Sequence, residues 1–268
     1  IFAREPGHQS PHDRLIMSGR AIAGSGYMPG RPPGPELLAA LERRLGSRGF
    51  TTSPQDMEPW VTDWRRRIHG AAAALLSPAS TEEVQDVVRL AAGAGVSIVP
   101  QGGNTSLVGG ATPPEDGASL LLSLRRMRAI RSLSLDDNVV VAEAGVILSD
   151  LHAAAEVVGR RLPLSLAAKG SATVGGLVST NAGGTQVVRF GTMRALVLGI
   201  EAVLPSGERF DGLSALHKDN RGYDLRQLLI GAGGTLGVVT AASLRLAPGI
   251  GARAVAWAGL SQASGALD

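Results

Sequence analysis

Chemistry in this chain is most legible in its glycines. The run Pro100-Gln101-Gly102-Gly103-Asn104-Thr105-Ser106-Leu107-Val108-Gly109-Gly110 leaves the apolar segment Ser97-Ile98-Val99 and places four glycines within nine residues. Successive peptide N–H groups in such a loop can point inward and form a concavity for phosphate oxygens. Gly102 and Gly103 would let the backbone approach a ligand closely, and Thr105 and Ser106 add hydroxyl donors. No Lys stands in the run, so backbone dipoles would have to neutralise the anion. The alternative is an ordinary β-turn. A second run, Pro163 to Gly184, is just as rich in small residues. Its residues 171–176 open a short helix whose N-terminus favours negative charge, or else pack that helix tightly on a sheet. A third, Gly231-Ala232-Gly233-Gly234-Thr235-Leu236-Gly237, runs into Val238-Val239-Thr240. Three such loops across about 140 residues suggest one extended ligand, a dinucleotide or similar group held by backbone.

Other chemistries lose support. With no Cys there is no disulfide, thiolate nucleophile, Cys-ligated zinc or iron–sulfur cluster. The segment Gly231-x-Gly233 lacks the third glycine of a dinucleotide fingerprint and precedes a strand, whereas the fingerprint follows one and opens a helix. No phosphate loop with Gly-Lys-Ser/Thr, no nucleophile elbow and no His-Glu-x-x-His is present. His8 and His12 lie on a Pro-flanked stretch, and His69, His152 and His217 have no carboxylate constellation beside them, so no metal site and no catalytic residue is assigned. A pI near 9.9 favours anionic ligands. Aromatics at 3%, however, leave few platforms for stacking bases, so nucleic acid is not an expected partner. No run is apolar and long enough for a membrane span, and no signal peptide opens the chain, so a cytoplasmic setting is expected.

The elements that must position these loops follow from periodicity. Leu37, Leu38, Leu41 and Leu45 make one face of a helix over 35–45, ended by Gly46. Ala71–Leu76 reads as a strand. Ser80 and Glu83 form a capping box for a helix buried through Val84, Val87, Val88 and Ala91. Ser97–Pro100 returns as a strand, giving a β-α-β unit in which Ile98–Val99 should lie parallel to Ala74–Leu76. Strands are expected at 119–123, 127–133, 138–142, 197–204, 208–211 and 237–246, with a helix at 146–158 and a turn at 205–208. The fold class is α+β, with the later strands mostly antiparallel.

Five ordered segments carry a resemblance: Pro100-Gln101-Gly102-Gly103-Asn104-Thr105, Ala168-Lys169-Gly170-Ser171, Thr180-Asn181-Ala182-Gly183-Gly184, Lys218-Asp219-Asn220-x-Gly222-Tyr223-Asp224-Leu225, and Gly234-Thr235-Leu236-Gly237-Val238-Val239-Thr240. Together they resemble flavoproteins of the vanillyl-alcohol oxidase fold, in the branch of D-2-hydroxy-acid dehydrogenases. Within it the likeness is greatest to D-2-hydroxyglutarate dehydrogenases, with glycolate oxidase and D-lactate dehydrogenase as relatives. The resemblance implies a two-lobed FAD-binding domain with FAD between the lobes, held noncovalently because no Cys and no motif His is there to bond it. It implies a hydride passed from a D-2-hydroxy acid to the flavin, and a separate, unidentified electron acceptor. Carried over by position, Gly102, Gly103, Asn104, Thr105 and Ser106 cradle the pyrophosphate, and Pro100 and Gly109 join them as cofactor-binding residues. Pro163, Leu166, Gly170, Ser171, Gly175 and Gly176 line the flavin and ribityl side, Thr180, Asn181 and Gly183 continue that wall, and Val238 and Val239 contact the cofactor from the last strand.

The implied divisions are 1–34 as a disordered leader, 35–70 as an N-terminal helical segment, 71–135 and 136–248 as the two lobes, and 249–268 as the start of a cap domain. Arg253–Leu260 would form the cap's first strand. In the family that cap supplies the substrate-binding cations, the general base and any divalent metal such as zinc. The alternative is a flavin-binding module without turnover. Two departures stand out: Gly233 occupies a position where the family usually has Glu, and Arg221 one where a small or hydroxyl residue is usual.

Overall fold

The computed structural model describes residues 30–252, 254–257, 259, 260, 262 and 264. His8, His12 and most of the expected leader lie outside the described residues. So do eight of the residues expected to open a cap (Arg253 and Ala258 among them), and the described residues of 254–260 carry no strand.

The first lobe begins with α1 (Pro35–Leu45), which starts at a proline, carries Arg43 and Arg44 in its last turn and buries Leu41 and Leu45. Two elements without apolar periodicity follow, β1 (Phe50–Thr51) and α2 (Pro54–Val61). The signal for α2 is its cap, in which Ser53 accepts a hydrogen bond from the Asp56 N–H and Pro54 opens the first turn. After β2 (Ala74–Leu76) comes α3 (Thr81–Ala94), where the Glu83 N–H donates to Ser80 Oγ and the Glu83 carboxylate accepts from the Ala79 N–H. Then β3 (Ile98–Gln101) and β4 (Leu120–Ser123) complete a four-stranded sheet of order β1-β2-β4-β3.

That order bears out the expected parallel run and adds a strand between the two. β2 and β3 do run in the same direction, but each pairs with β4, which lies between them. The reason is burial: Leu120, Leu121, Leu122 and Ser123 are at most 0% exposed, and a strand without a polar face belongs at the centre of a sheet covered on both sides.

The chain then turns, the Met127 N–H donating to the Leu124 carbonyl, and enters the second lobe. There β5 (Ile130–Ser134), β6 (Val139–Glu143), α4 (Leu148–Val157), β7 (Arg160–Arg161), α5 (Val174–Ser179), α6 (Val187–Phe190), α7 (Met193–Leu196), β8 (Val197–Val203), β9 (Arg209–Gly212), α8 (Arg226–Leu229), β10 (Val238–Arg245) and β11 (Ala247–Pro248) follow in order. Five of the strands form an antiparallel sheet, β5-β6-β10-β8-β9. Since β5 belongs to it, the division between the sheets falls before residue 130 and not at 135. β7 and β11 pair separately.

One buried carboxylate ties the lobes together. Glu201 on β8 is 2% exposed and accepts hydrogen bonds from Thr81 Oγ1 of α3 (2.8 Å), Thr240 Oγ1 of β10 (2.8 Å) and Arg131 Nη2 of β5 (3.1 Å). Arg209 Nε stands 3.5 Å from its second oxygen. Apolar burial is continuous across the same seam, because Ala144, Val203 and Val238 of the second lobe pack with Leu76, Val84 and Leu122 of the first. Burial alone would raise the Glu201 pKa, but the bonds from Arg131, Thr81 and Thr240 outweigh it and hold it below the ordinary value.

A carboxylate depressed in the folded state contributes stability above its ordinary value of 4.5 and loses it as pH falls through the folded value. Glu201→Gln should therefore lower unfolding free energy at neutral pH by about 1–3 kcal/mol. Urea titrations of both proteins should show that gap narrowing as the pH drops below 4.5; a gap constant with pH would assign the loss to packing.

Candidate functional site

At the carboxyl end of β3 the chain leaves the sheet as the first glycine loop. Among the described residues, the consecutive N–H groups of Gly103, Asn104, Thr105, Ser106 and Leu107 find no acceptor in the protein. Asn104 holds the curve in a left-handed conformation (φ 50°), its Nδ2 donating to the Thr62 carbonyl at 2.7 Å, next to α2. A row of unspent donors on such a turn is an anion-binding concavity.

The glycines at its start answer to a different neighbour than the sequence suggests. A Cβ on Gly103 would lie 1.8 Å from the Ser171 carbonyl oxygen, and one on Gly102 would lie 2.4 Å from Thr173 Oγ1. These residues are small because the loop presses on the turn of the second lobe that precedes α5.

That turn corrects a second expectation. The helix begins at Val174, and its first two donors are spent within the protein, Val174 N–H on the Val146 carbonyl (2.9 Å) and Gly175 N–H on the Ala144 carbonyl (2.8 Å). Of the first three N–H groups of this helix, that of Gly176 alone has no acceptor among the described residues. Thr173 Oγ1, buried between Gly102 and Gly176, has no partner, and neither does Gln101 Oε1, although Gln101 Nε2 donates to the carbonyls of Trp60 and Ala111. The third glycine run closes the site: the Gly233 N–H donates to the Ser179 carbonyl at 2.7 Å, and Arg194 donates to the carbonyls of Gln227 and Ile230 while its own N–H bonds Asn181 Oδ1.

Together these pieces enclose a cleft of about 830 Å³, open to solvent, between the two sheets. Of the expected site residues, Pro100, Gly102, Ser106, Gly175, Gly176, Thr180, Val238 and Val239 line it. Gly103, Asn104, Thr105 and Gly109 belong to the same loop but not to the wall, and Ser171 lies under Gly103. Leu166 packs on the core of the second lobe, Gly170 has open space around its Cα, and Gly183 abuts Val187. Asn181 is left-handed (φ 47°) and serves the Arg194 contact, and Pro163 lines a different cavity. Sequence reading missed Gln101 as a wall residue, along with Thr173, Leu124 and Ala144. Thr173 could have been found as the hydroxyl N-cap position before α5.

Among the described residues, the wall holds no charged side chain and no His. His152 carries a pKa lowered by burial and His217 bonds the Asp137 carbonyl, both away from the cleft. Arg221 pairs with Asp219 at 2.6 Å on an exposed turn. Gly233 has φ 64°, in the region that glycine adopts without strain, which accounts for glycine at this departure from the family pattern. Such a site can hold an anion by backbone and a planar ring by apolar contact. It offers no group to take or give a proton.

The model of a family described as FAD binding domain matches residues 72–212, just over half the chain. The chain belongs to that family. FAD is thus the cofactor that the family implies, and the residues present fit it: the loop beside the cleft carries N–H groups without an acceptor, and Thr173 Oγ1 and Gln101 Oε1 have no partner. The fold is the FAD-binding fold of the vanillyl-alcohol oxidase type, shared with a solved structure of alkyldihydroxyacetonephosphate synthase (TM-score 0.72, 20% identity, 83% of this chain and 42% of that one). Among curated proteins the domain is 44% identical to the mitochondrial D-2-hydroxyglutarate dehydrogenase of Bos taurus over 211 residues, covering 79% of this chain and 38% of that protein. It is 40% identical to that of Arabidopsis thaliana over 204 residues, covering 76% and 36%. The chain thus spans well under half the length of these relatives.

Gly103→Ala must part the two lobes at the loop and should cost more than about 2 kcal/mol, with weakened flavin binding. Gly170→Ala, with nothing within 4 Å of the new Cβ, should stay within about 0.5 kcal/mol of the parent. Thermal unfolding with and without FAD checks both.

Proposed function

We propose that this chain is the FAD-binding part of a flavoprotein that oxidises a D-2-hydroxy acid, D-2-hydroxyglutarate foremost, to the 2-oxo acid. The observation that carries the cofactor half is the row of N–H groups from Gly103 to Leu107 without a protein acceptor, in a loop whose Gly102 and Ser106 line an uncharged cleft. The substrate class rests on relatives named D-2-hydroxyglutarate dehydrogenase at 40% identity or more. When bound, FAD supplies the hydride acceptor that the protein's side chains lack. The chain's own part is to bind and orient. The N–H groups of 103–107 would hold pyrophosphate oxygens, Gly176 N–H and Thr173 Oγ1 would meet polar atoms farther along, and Val238 and Val239 would give an apolar face.

Retention would be noncovalent, since the chain has no Cys and no His lines the cleft. The proton from the substrate hydroxyl needs a base, and none stands in this wall. We place that base, the cations that recognise the acid's carboxylates and any divalent metal in the part of the relatives' length that this chain does not span. The electron acceptor is a separate partner. The uncharged wall also favours a second reading for the chain by itself, a flavin module that binds without turning over.

A visible spectrum of the purified chain should show a flavin band, and acid precipitation should release all of it to the supernatant. Anaerobic D-2-hydroxyglutarate should leave the band unbleached in this chain alone. Bleaching would put the catalytic groups inside these residues, flavin retained in the pellet would mean a covalent bond, and a colourless folded protein would overturn the FAD reading.

A further inference from the structure

Pro163 opens onto a second cavity of about 750 Å³ that shares no residue with the cofactor cleft. Pro163, Leu196 and Leu246 form its buried floor, and Phe190, Arg189 and Arg245 stand at its sides. The pairing of β7 with β11 runs along it, Ala247 opposite Arg161. Among the described residues, no carboxylate lies in the wall.

Arg189 and Arg245 line the cavity, and Arg161 stands beside it. Arg161 and Arg189 both stand over the Phe190 ring, 5.0 and 5.2 Å from the centroid. Arg161 is fixed there, Nη1 donating to Gln186 Oε1 at 2.7 Å and Nε to the Pro248 carbonyl at 3.2 Å. The guanidinium groups of Arg189 and Arg245 make no hydrogen bond or ion pair among the described residues. Elsewhere Arg44, Arg131, Arg209, Arg221 and Arg226 each have a carboxylate within reach. Guanidinium groups gathered on one cavity without a counter-charge repel one another, and an oxoanion accepting from their planar forks relieves that repulsion.

We propose that this cavity is a second binding site, for an oxoanion of the carboxylate or phosphate class, held by Arg189 and Arg245 against the fixed Arg161–Phe190 stack. It is independent of the cofactor reading, because the two cavities have no wall in common.

The test is isothermal titration of inorganic phosphate and of succinate into the chain, both loaded with FAD and without added FAD. Wild type is compared with R189Q/R245Q and with R43Q/R128Q, which removes the same charge elsewhere; all four arginines are exposed, so folding should survive. At least one anion should bind wild type, with binding weakened about tenfold or more by R189Q/R245Q and held within about twofold by R43Q/R128Q. Which anion binds tells phosphoryl from carboxylate recognition. No binding of either anion by wild type overturns the proposal, as does equal weakening in the two variants or no weakening in R189Q/R245Q. Phosphate held in the cofactor loop of the flavin-free chain would be untouched by R189Q/R245Q and so would count against it. The comparison is readable whether or not the chain takes up flavin.

Discussion

The architecture depends on a place where two backbones meet with no room for a side chain. The loop after β3 lies against the turn before α5 so closely that a methyl group on Gly103 would overlap the Ser171 carbonyl. That contact joins the mixed sheet of the first lobe to the antiparallel sheet of the second, and the cleft is the space left beside it. Because the loop is braced by Asn104 on one flank and by residues 171–173 on the other, its N–H groups are held without protein acceptors. An unspent donor row is costly in a folded protein unless water or a ligand satisfies it, so the same contact that fixes the fold also prepares the site.

The seam behind the cleft is held by Glu201. A carboxylate so deeply placed would be a liability alone, yet two hydroxyls and two guanidinium groups converge on it from α3, β5, β9 and β10. The continuous apolar packing around Ala144, Val203 and Val238 supplies the bulk of the attraction between lobes, and Glu201 sets their register. Val238 takes part in both, packing in that seam and lining the cleft.

An uncharged cleft has a functional corollary. Hydride chemistry on a flavin needs the protein chiefly to position and to exclude, and the wall of backbone, small residues and aliphatic side chains suits that task. Acid–base work and recognition of a doubly charged acid need groups of another kind. Under the proposed function, groups of that kind would come from the length of the relatives that this chain does not span.

The sequence by itself determined the glycine loops, the cofactor class, the α+β character and the helices with strong local signals, α1 through its leucine face and α3 through Ser80 and Glu83. These depend on neighbours a few residues away, which a sequence displays directly. Tertiary structure decided the rest. β4 separates β2 from β3 because its four residues are buried on both faces, a fact about the whole sheet. The α5 donors go to Ala144 and Val146, and Pro163 opens onto an arginine-lined cavity in place of the cleft, because chain segments far apart in sequence compete for the same hydrogen bonds and the same space. Gly102 and Gly103 show both sides of the matter. Their small size was legible as a need for close approach, while the partner they approach, another stretch of backbone, could be known only once the two lobes were brought together.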